Sequence, residues 1–305
     1  MGNIVIGILQ IVIFIALAPA IKGFIHKIKL NLRGQKGPSI LQPYKDLIKL
    51  FRKEPVISKD ASFISKIAPI VVLLATIISA SFIPIFSPNT LLSFTGDVIA
   101  FMYVLGLSTF FIALYGLDQG SSFGGLGSAR EMTIASLAEP TLMMIMFTFS
   151  LEYGTSNISE IFVKAHSHSF NVPIAYVFSL LALFFVSMAE NARIPFDNPE
   201  THLELTMVHE AMILEASGKY LAIFELSSYM KLLLFISIAS NIFLPFLYSS
   251  NMLLNILFYI IKVIIFSIPI ALLELSVAKF RFFRIPDLLM ISFALATLGF
   301  VLYYV

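Results

Sequence analysis

The chain of 305 residues contains no cysteine and no tryptophan, and only 12% of its residues are charged. Without cysteine it has no thiolate to ligate nickel or an iron–sulfur cluster, and no disulfide. Redox metal chemistry is therefore expected in a partner rather than here. Soluble domains average about 25% charged residues. With 58% hydrophobic residues and a mean hydropathy of +0.93, the expected solvent is lipid. A net charge of +2 provides no electrostatic footprint for nucleic acid. The opening run MGNIVIGILQIVIFIALAPA lacks the positive segment that precedes a signal sequence, so it reads as a retained membrane helix.

A spanning helix needs roughly 20 mainly apolar residues. Such segments fall near 3–22, 67–87, 95–117, 131–151, 171–190, 226–246, 252–275 and 286–304. The expectation is a single all-α polytopic membrane domain over 1–305, with about eight transmembrane helices plus amphipathic helices on one face. Basic residues crowd alternate connections, from Lys22 through Lys66 in the first, then Arg130, Arg193, Lys219, Lys231, Lys279, Arg281 and Arg284. The opposite connections offer Lys164 alone. By the positive-inside rule the segments 23–66, 118–130, 191–225 and 276–285 are cytoplasmic and form a docking face, with both termini outside the cell membrane. In the first of these, Leu41, Tyr44, Leu47, Ile48 and Phe51 share a helical stripe beside Lys45, Lys49, Arg52 and Lys53. Such a helix lies on the membrane surface or against a partner.

Acids are gathered in one place. Seven of the eighteen lie between Glu190 and Glu225, around the stretch ENARIPFDNPETHLELTMVHEAMILEASG. Asn198 suits a helix cap, with Pro199 at the first helical position and Glu200 in the first turn. A helix from Pro199 to about Ser217, ended by Gly218, puts Glu204 and Glu215 on nearly one face. Glu131 and Glu139 share a face of the fourth span, and Pro140 loosens the backbone beside them. Lys262 and Glu274 sit within the seventh span, about 120° apart, which argues against a direct pair. Ionisable groups at such positions line water or pair with one another. Carboxylates one to three turns apart in a low-dielectric cleft repel one another, and with water between them they form a proton path. The alternative is a solvated acidic loop held by Arg193 and Lys219. The His209–Glu210 pair lacks the second histidine of a zinc-protease helix, the Gly-rich loop at 116–130 lacks a phosphate-loop ending, and His166 and His168 fall in an outer loop.

The run AENARIPFD at 189–197 resembles the AE-x-x-R-x-PFD motif of the first membrane subunit of respiratory complex I, and Glu200 and Glu204-Leu205 follow at matching spacing. LQPYKDLIKLFRKEP in the first loop adds to the likeness. DNPETHLELTMVHEAMILEASG and REMTIASLAEP resemble the related branch in membrane-bound [NiFe] hydrogenases of the formate hydrogenlyase and energy-converting kind. The shortened RGQKGPSILQP segment also favours that branch. The resemblance implies a non-catalytic subunit that docks hydrogenase large and small subunits, themselves carrying [NiFe] and iron–sulfur clusters, and links them to antiporter-like membrane subunits. It assigns Glu131, Glu139, Glu190, Asp197, Glu200, Glu204, Glu215 and Glu225 to the coupling path and Arg193 as an ion partner. Lys262 and Glu274 are a candidate intramembrane relay. No cofactor is expected in the chain itself. The alternative implied role is the quinone-chamber subunit of an NADH–quinone oxidoreductase.

Overall fold

A computed structural model describes residues 2–58, 61–167, 174–197, 207–245, 247–249 and 251–303. Eleven α-helices account for the described chain: α1 (Gly2–Leu32), α2 (Gln42–Phe51), α3 (Ile64–Phe82), α4 (Val98–Asp118), α5 (Ser122–Tyr153), α6 (Ile158–Ser167), α7 (Ile174–Glu190), α8 (His209–Met212), α9 (Gly218–Phe243), α10 (Met252–Ser276) and α11 (Ile285–Leu302). Seven of them are long and apolar enough to cross a membrane, and α7 is a shorter apolar helix of 17 residues at the place of the expected fifth span. The protein is an all-α, multi-pass membrane protein. Helices satisfy their own backbone hydrogen bonds, which hydrocarbon requires of any segment facing lipid.

The α9 helix is the axis of the bundle. Every residue from Tyr229 to Ile242 is buried, Lys231, Ser237, Ser240 and Asn241 among them. It packs against α1, α2, α3 and α10, while α5 packs against α4, α7, α8 and α11. Phe14, Phe101, Phe149, Phe196 and Phe235 fill the shared core. Serines and threonines within the spans turn their hydroxyls back to carbonyls three or four residues earlier, as Ser227, Ser237 and Ser267 do. Side chains cap three helix starts: Asp97 at α4, Ser121 at α5 and Asn251 at α10. At one end of the bundle the irregular 83–89 segment depends on neighbouring helices for its backbone bonds. Gln10 accepts from Ile85 and donates to Asn89, and Asn241 and Asn255 donate to Pro84 and Phe86.

Two expectations need correction and a third gains detail. The helices run further than the apolar runs. The first continues to Leu32, the fourth span begins at Ser122 and the sixth at Gly218, so much of the basic "loop" is helical. Lys22 and Lys29 are thus helix residues, Lys231 lies in α9, and Lys29 and Lys231 are buried. The expected helix from Pro199 to Ser217 is not continuous. Asn198, Pro199, Glu200 and Glu204 lie outside the described residues, and 207–217 contains only the single turn α8. Gly218 begins α9 rather than ending a preceding helix, with φ of +51°. Finally, α2 buries Pro43 and Leu47, and its Tyr44 hydroxyl donates to the Ala16 carbonyl, whereas Leu41, Ile48 and Phe51 are exposed.

Candidate functional site: a carboxylate-lined cleft

The AENARIPFD run follows directly from α7. Glu190 is the last residue of that helix, and the chain then turns through Ala192, whose φ of +48° is the left-handed region. Two ion-pair clusters hold this turn. Arg193 Nη1 lies 2.8 Å from Glu274 Oε1, and Lys29 Nζ lies 2.8 Å from Glu274 Oε2, so α1, α10 and the turn meet on one buried carboxylate. Asp197 Oδ1 takes Lys279 Nζ at 2.5 Å, while Oδ2 accepts from the Val208 and His209 backbone N–H groups at 3.1 Å each. Phe280 N–H donates to the Pro195 carbonyl at 2.9 Å. Asp197 and Arg193 therefore fasten the turn, and Glu274 is held by two cations. Arg193 does act as an ion partner, but of Glu274 in place of the acids near it in sequence. The suggested Lys262–Glu274 relay is not assembled as a contact.

Between α1, α2, this turn, α8 and α9 lies a cavity of about 270 Å³. Lys22, His26, Asp46, Glu210, Glu225 and Tyr229 supply its chemistry. A second, smaller cavity of about 20 Å³ lies deeper and is lined by Glu131, Glu190, Lys231, Thr76 and Ser108. Asn191, His209 and Ser228 line both. The deeper space is large enough for one water, since a site needs roughly 10–15 Å³ for that.

Glu190 Oε2 and Lys231 Nζ are 2.8 Å apart, and Lys231 also donates to Thr109 Oγ1 at 3.1 Å. Glu131 is 5% exposed, and its Oε2 has no hydrogen-bond partner among the described residues. A buried carboxylate oxygen without a protein partner needs a water or a proton. Glu139, two turns further along α5, is half-buried beside α4: a Cβ at Gly106 would come within 3.4 Å of its Oε1. Outside the spans, burial and the Glu225 carboxylate push Glu210 up to about 7, partly offset by Lys22. Burial holds the His209 imidazole down at about 4, and the Lys231 charge adds to that. His209 is therefore neutral at physiological pH, with one ring nitrogen able to donate and the other to accept a hydrogen bond between the two cavities it lines.

Of the predicted site residues, Glu131, Glu190 and Glu225 line these cavities, with Glu139 next along α5. Asp197, Arg193 and Glu274 form the scaffold. Glu215 is exposed at the turn before α9, and Glu200 and Glu204 lie outside the described residues. Lys231, Lys22, His209 and Thr109 were not among the predicted site residues. Lys231 had a signal in the sequence, a lone cation in the apolar run SSYMKLLLF. Among the described residues no group of three or more His, Asp or Glu is placed to hold a metal ion.

The comparisons with known proteins agree with this architecture. The NADH dehydrogenase family matches residues 4–305, and the chain belongs to that family. Within it, the chain is 30% identical to hydrogenase-4 component C of Escherichia coli over 98% of its length and 95% of the relative's. It is 27% identical to formate hydrogenlyase subunit 4 of the same organism, over 98% of both. An NADH-ubiquinone oxidoreductase chain of Didelphis virginiana matches at 27% over 98% of this chain and 95% of the relative. Among solved structures, a chain of the membrane-bound sulfane sulfur reductase, an archaeal respiratory membrane complex, shares the fold. The TM-score is 0.88 at 20% identity, over 99% of this chain and all of that one.

Proposed function

We propose that this chain is the membrane-anchoring and energy-coupling subunit of a membrane-bound [NiFe] hydrogenase complex in the cytoplasmic membrane. It docks hydrogenase subunits on its basic face, with both termini on the other. The observation that carries the reading is Glu131: a buried carboxylate with an unpartnered oxygen, beside the Glu190–Lys231 pair, at the inner end of adjoining cavities. Of the three relatives matched over nearly their whole lengths, two are a hydrogenase component, at 30% identity, and a formate hydrogenlyase subunit, which supports the hydrogenase branch.

In this reading a redox event in the docked module changes the charge at the mouth of the larger cavity, where Lys22, Glu210 and Glu225 respond. His209 and the water-sized space carry a proton inward to Glu131. A proton arriving on Glu131 weakens its hold on Lys231, and the Glu190–Lys231 pair and Glu139 pass the charge change along the spans towards antiporter-like subunits. The chain itself makes and breaks no covalent bond other than to protons. The test is Glu131→Gln in the intact complex. Ion uptake per hydrogen formed should collapse while hydrogen evolution in detergent persists, and wild-type uptake would sink the reading.

One observation favours a second reading, a quinone-chamber subunit of an NADH–quinone oxidoreductase. The 270 Å³ cavity approaches the size of small-molecule sites, and Pro38, Pro43, Ile213 and Tyr229 form part of its wall. Loss of turnover with a quinone-site inhibitor, in a complex that oxidises NADH, would establish it.

A further inference from the structure

Four basic side chains are buried in the described chain: Lys29, Arg193, Lys231 and Lys262. The first three each meet a carboxylate at 2.8 Å. Lys262, 2% exposed, meets an aromatic ring instead. Its Nζ lies 5.7 Å from the centroid of Phe162 in α6, and no described acid or hydrogen-bond acceptor contacts it. An ammonium paired with a carboxylate keeps its proton, because losing it strands the acid in low dielectric. Lys262 strands nothing when it changes charge.

Its position is also distinctive. Lys262 is the eleventh of the 25 residues of α10, slightly nearer the end away from the basic connections. Glu274 is twelve residues further along the same helix, roughly 18 Å at 1.5 Å per residue. On the other side, the Phe162 ring links Lys262 to the rings of Tyr248 and His166. Phe162 is buried, and its ring packs edge-on against Tyr248 at 5.9 Å, with the exposed His166 ring 4.8 Å beyond. The titratable groups around this spot are His166, whose Nδ1 bonds the Pro245 carbonyl, half-buried Tyr248, and Tyr259, whose hydroxyl is bonded to Ser237 at 2.7 Å. The α6 acid Glu160 is exposed and takes the Thr155 hydroxyl, and Lys164 donates to the Tyr153 carbonyl.

We propose that Lys262 is a proton-binding station inside the membrane, and that the Phe162 ring is the gate separating it from water on the face opposite the basic connections. The amine takes a proton to become an ammonium, which rests against the ring face. Movement of that ring lets the proton pass to water at the Tyr248–His166 surface, leaving the neutral amine. The inference rests on the coupling reading only for the source of the proton during turnover.

The test separates the two. The intact complex is reconstituted in vesicles, a pH gradient is imposed without any redox substrate, and its decay is followed with a pH-sensitive dye. Phe162→Ala should raise the proton leak several-fold, Phe162→Leu should keep the seal, and Lys262→Met added to Phe162→Ala should return the leak to the wild-type level. A tight Phe162→Ala variant, or a leak that survives in the double variant, overturns the proposal. If Phe162→Ala fails to assemble, Lys262→Met alone decides: ion uptake during turnover should fall with hydrogen evolution in detergent unchanged, and unchanged uptake overturns it. Wild-type uptake in Glu139→Gln would instead sink the coupling reading and leave the leak experiment standing.

Discussion

At the scale of the residue, the site is a set of charges whose partners decide what each can do. Lys231 neutralises Glu190 in the core, and removing one member of a buried pair is more damaging than removing both. Lys231→Met should destabilise the solubilised protein by about 3–5 kcal/mol, and Glu190→Gln in the same chain should restore much of that. Thermal melts of the three variants in one detergent check it. The Glu210 and His209 shifts give a pH signature with opposed signs. Glu210 is raised from 4.5 to about 7, so the folded state binds more protons across that window and stability falls as pH rises through it. His209 is lowered from 6.5 to about 4, so its contribution grows as pH rises through that window. The two nearly cancel in the wild type between about 4.5 and 6.5. Glu210→Gln should uncover a melting temperature that climbs with pH there, and His209→Gln one that declines. Flat profiles in both would contradict the two assignments.

At the scale of the element, close backbone approaches hold the site together. Gly218 opens α9 at a φ of +51°, and a Cβ there would meet the Glu54 carbonyl oxygen at 2.5 Å. Its neighbour Ser217 donates its hydroxyl to the Val56 carbonyl at 3.0 Å and accepts from the Val56 N–H at 2.7 Å. The strap after α2 is thereby tied to the helix that carries Glu225 and Lys231. Gly218→Ala combines left-handed strain with a backbone clash, and should cost about 1–3 kcal/mol. The expected observation is faster protease cleavage after α2, a segment rich in lysine and arginine. Gly124 at the α4–α5 corner is tighter still, since a Cβ there would run into the Gly116 carbonyl oxygen. Gly124→Ala should displace α5, and with it Glu131, lowering coupled ion uptake before it lowers assembly.

At the scale of the whole molecule, the basic face and the buried acids belong to one design. The cavity that Glu210 and Glu225 line lies between α1, α2 and α9 on the side where most of the lysine and arginine is found. In the proposed reading, a module docked there delivers a charge change directly to groups that continue into the bundle. Purification in mild detergent should bring down nickel–iron subunits with hydrogen-evolving activity, and deleting this chain should release that activity from the membrane. Glu139→Gln should leave the assembly intact and reduce ion movement per turnover. Activity that stays membrane-bound without this chain would contradict the anchoring role.

The sequence by itself determined that the protein lies in lipid, that it is helical, and where its spans fall, because apolar runs of about 20 residues have one stable arrangement in hydrocarbon. It also marked Glu131 and Glu190, since acids at the edges of such runs are costly to keep. Tertiary structure decided the partners. Lys231 fell inside the expected 226–246 run but was grouped with the basic connections, and only packing places it in the core opposite Glu190. Asp197 counted with the coupling path, Arg193 as an ion partner and Glu274 as half of a relay, and packing supplied their partners: Lys279 for Asp197, and Arg193 with Lys29 for Glu274. Ionisation in a membrane depends on what stands within a few ångströms, and residues distant in the chain supply those neighbours.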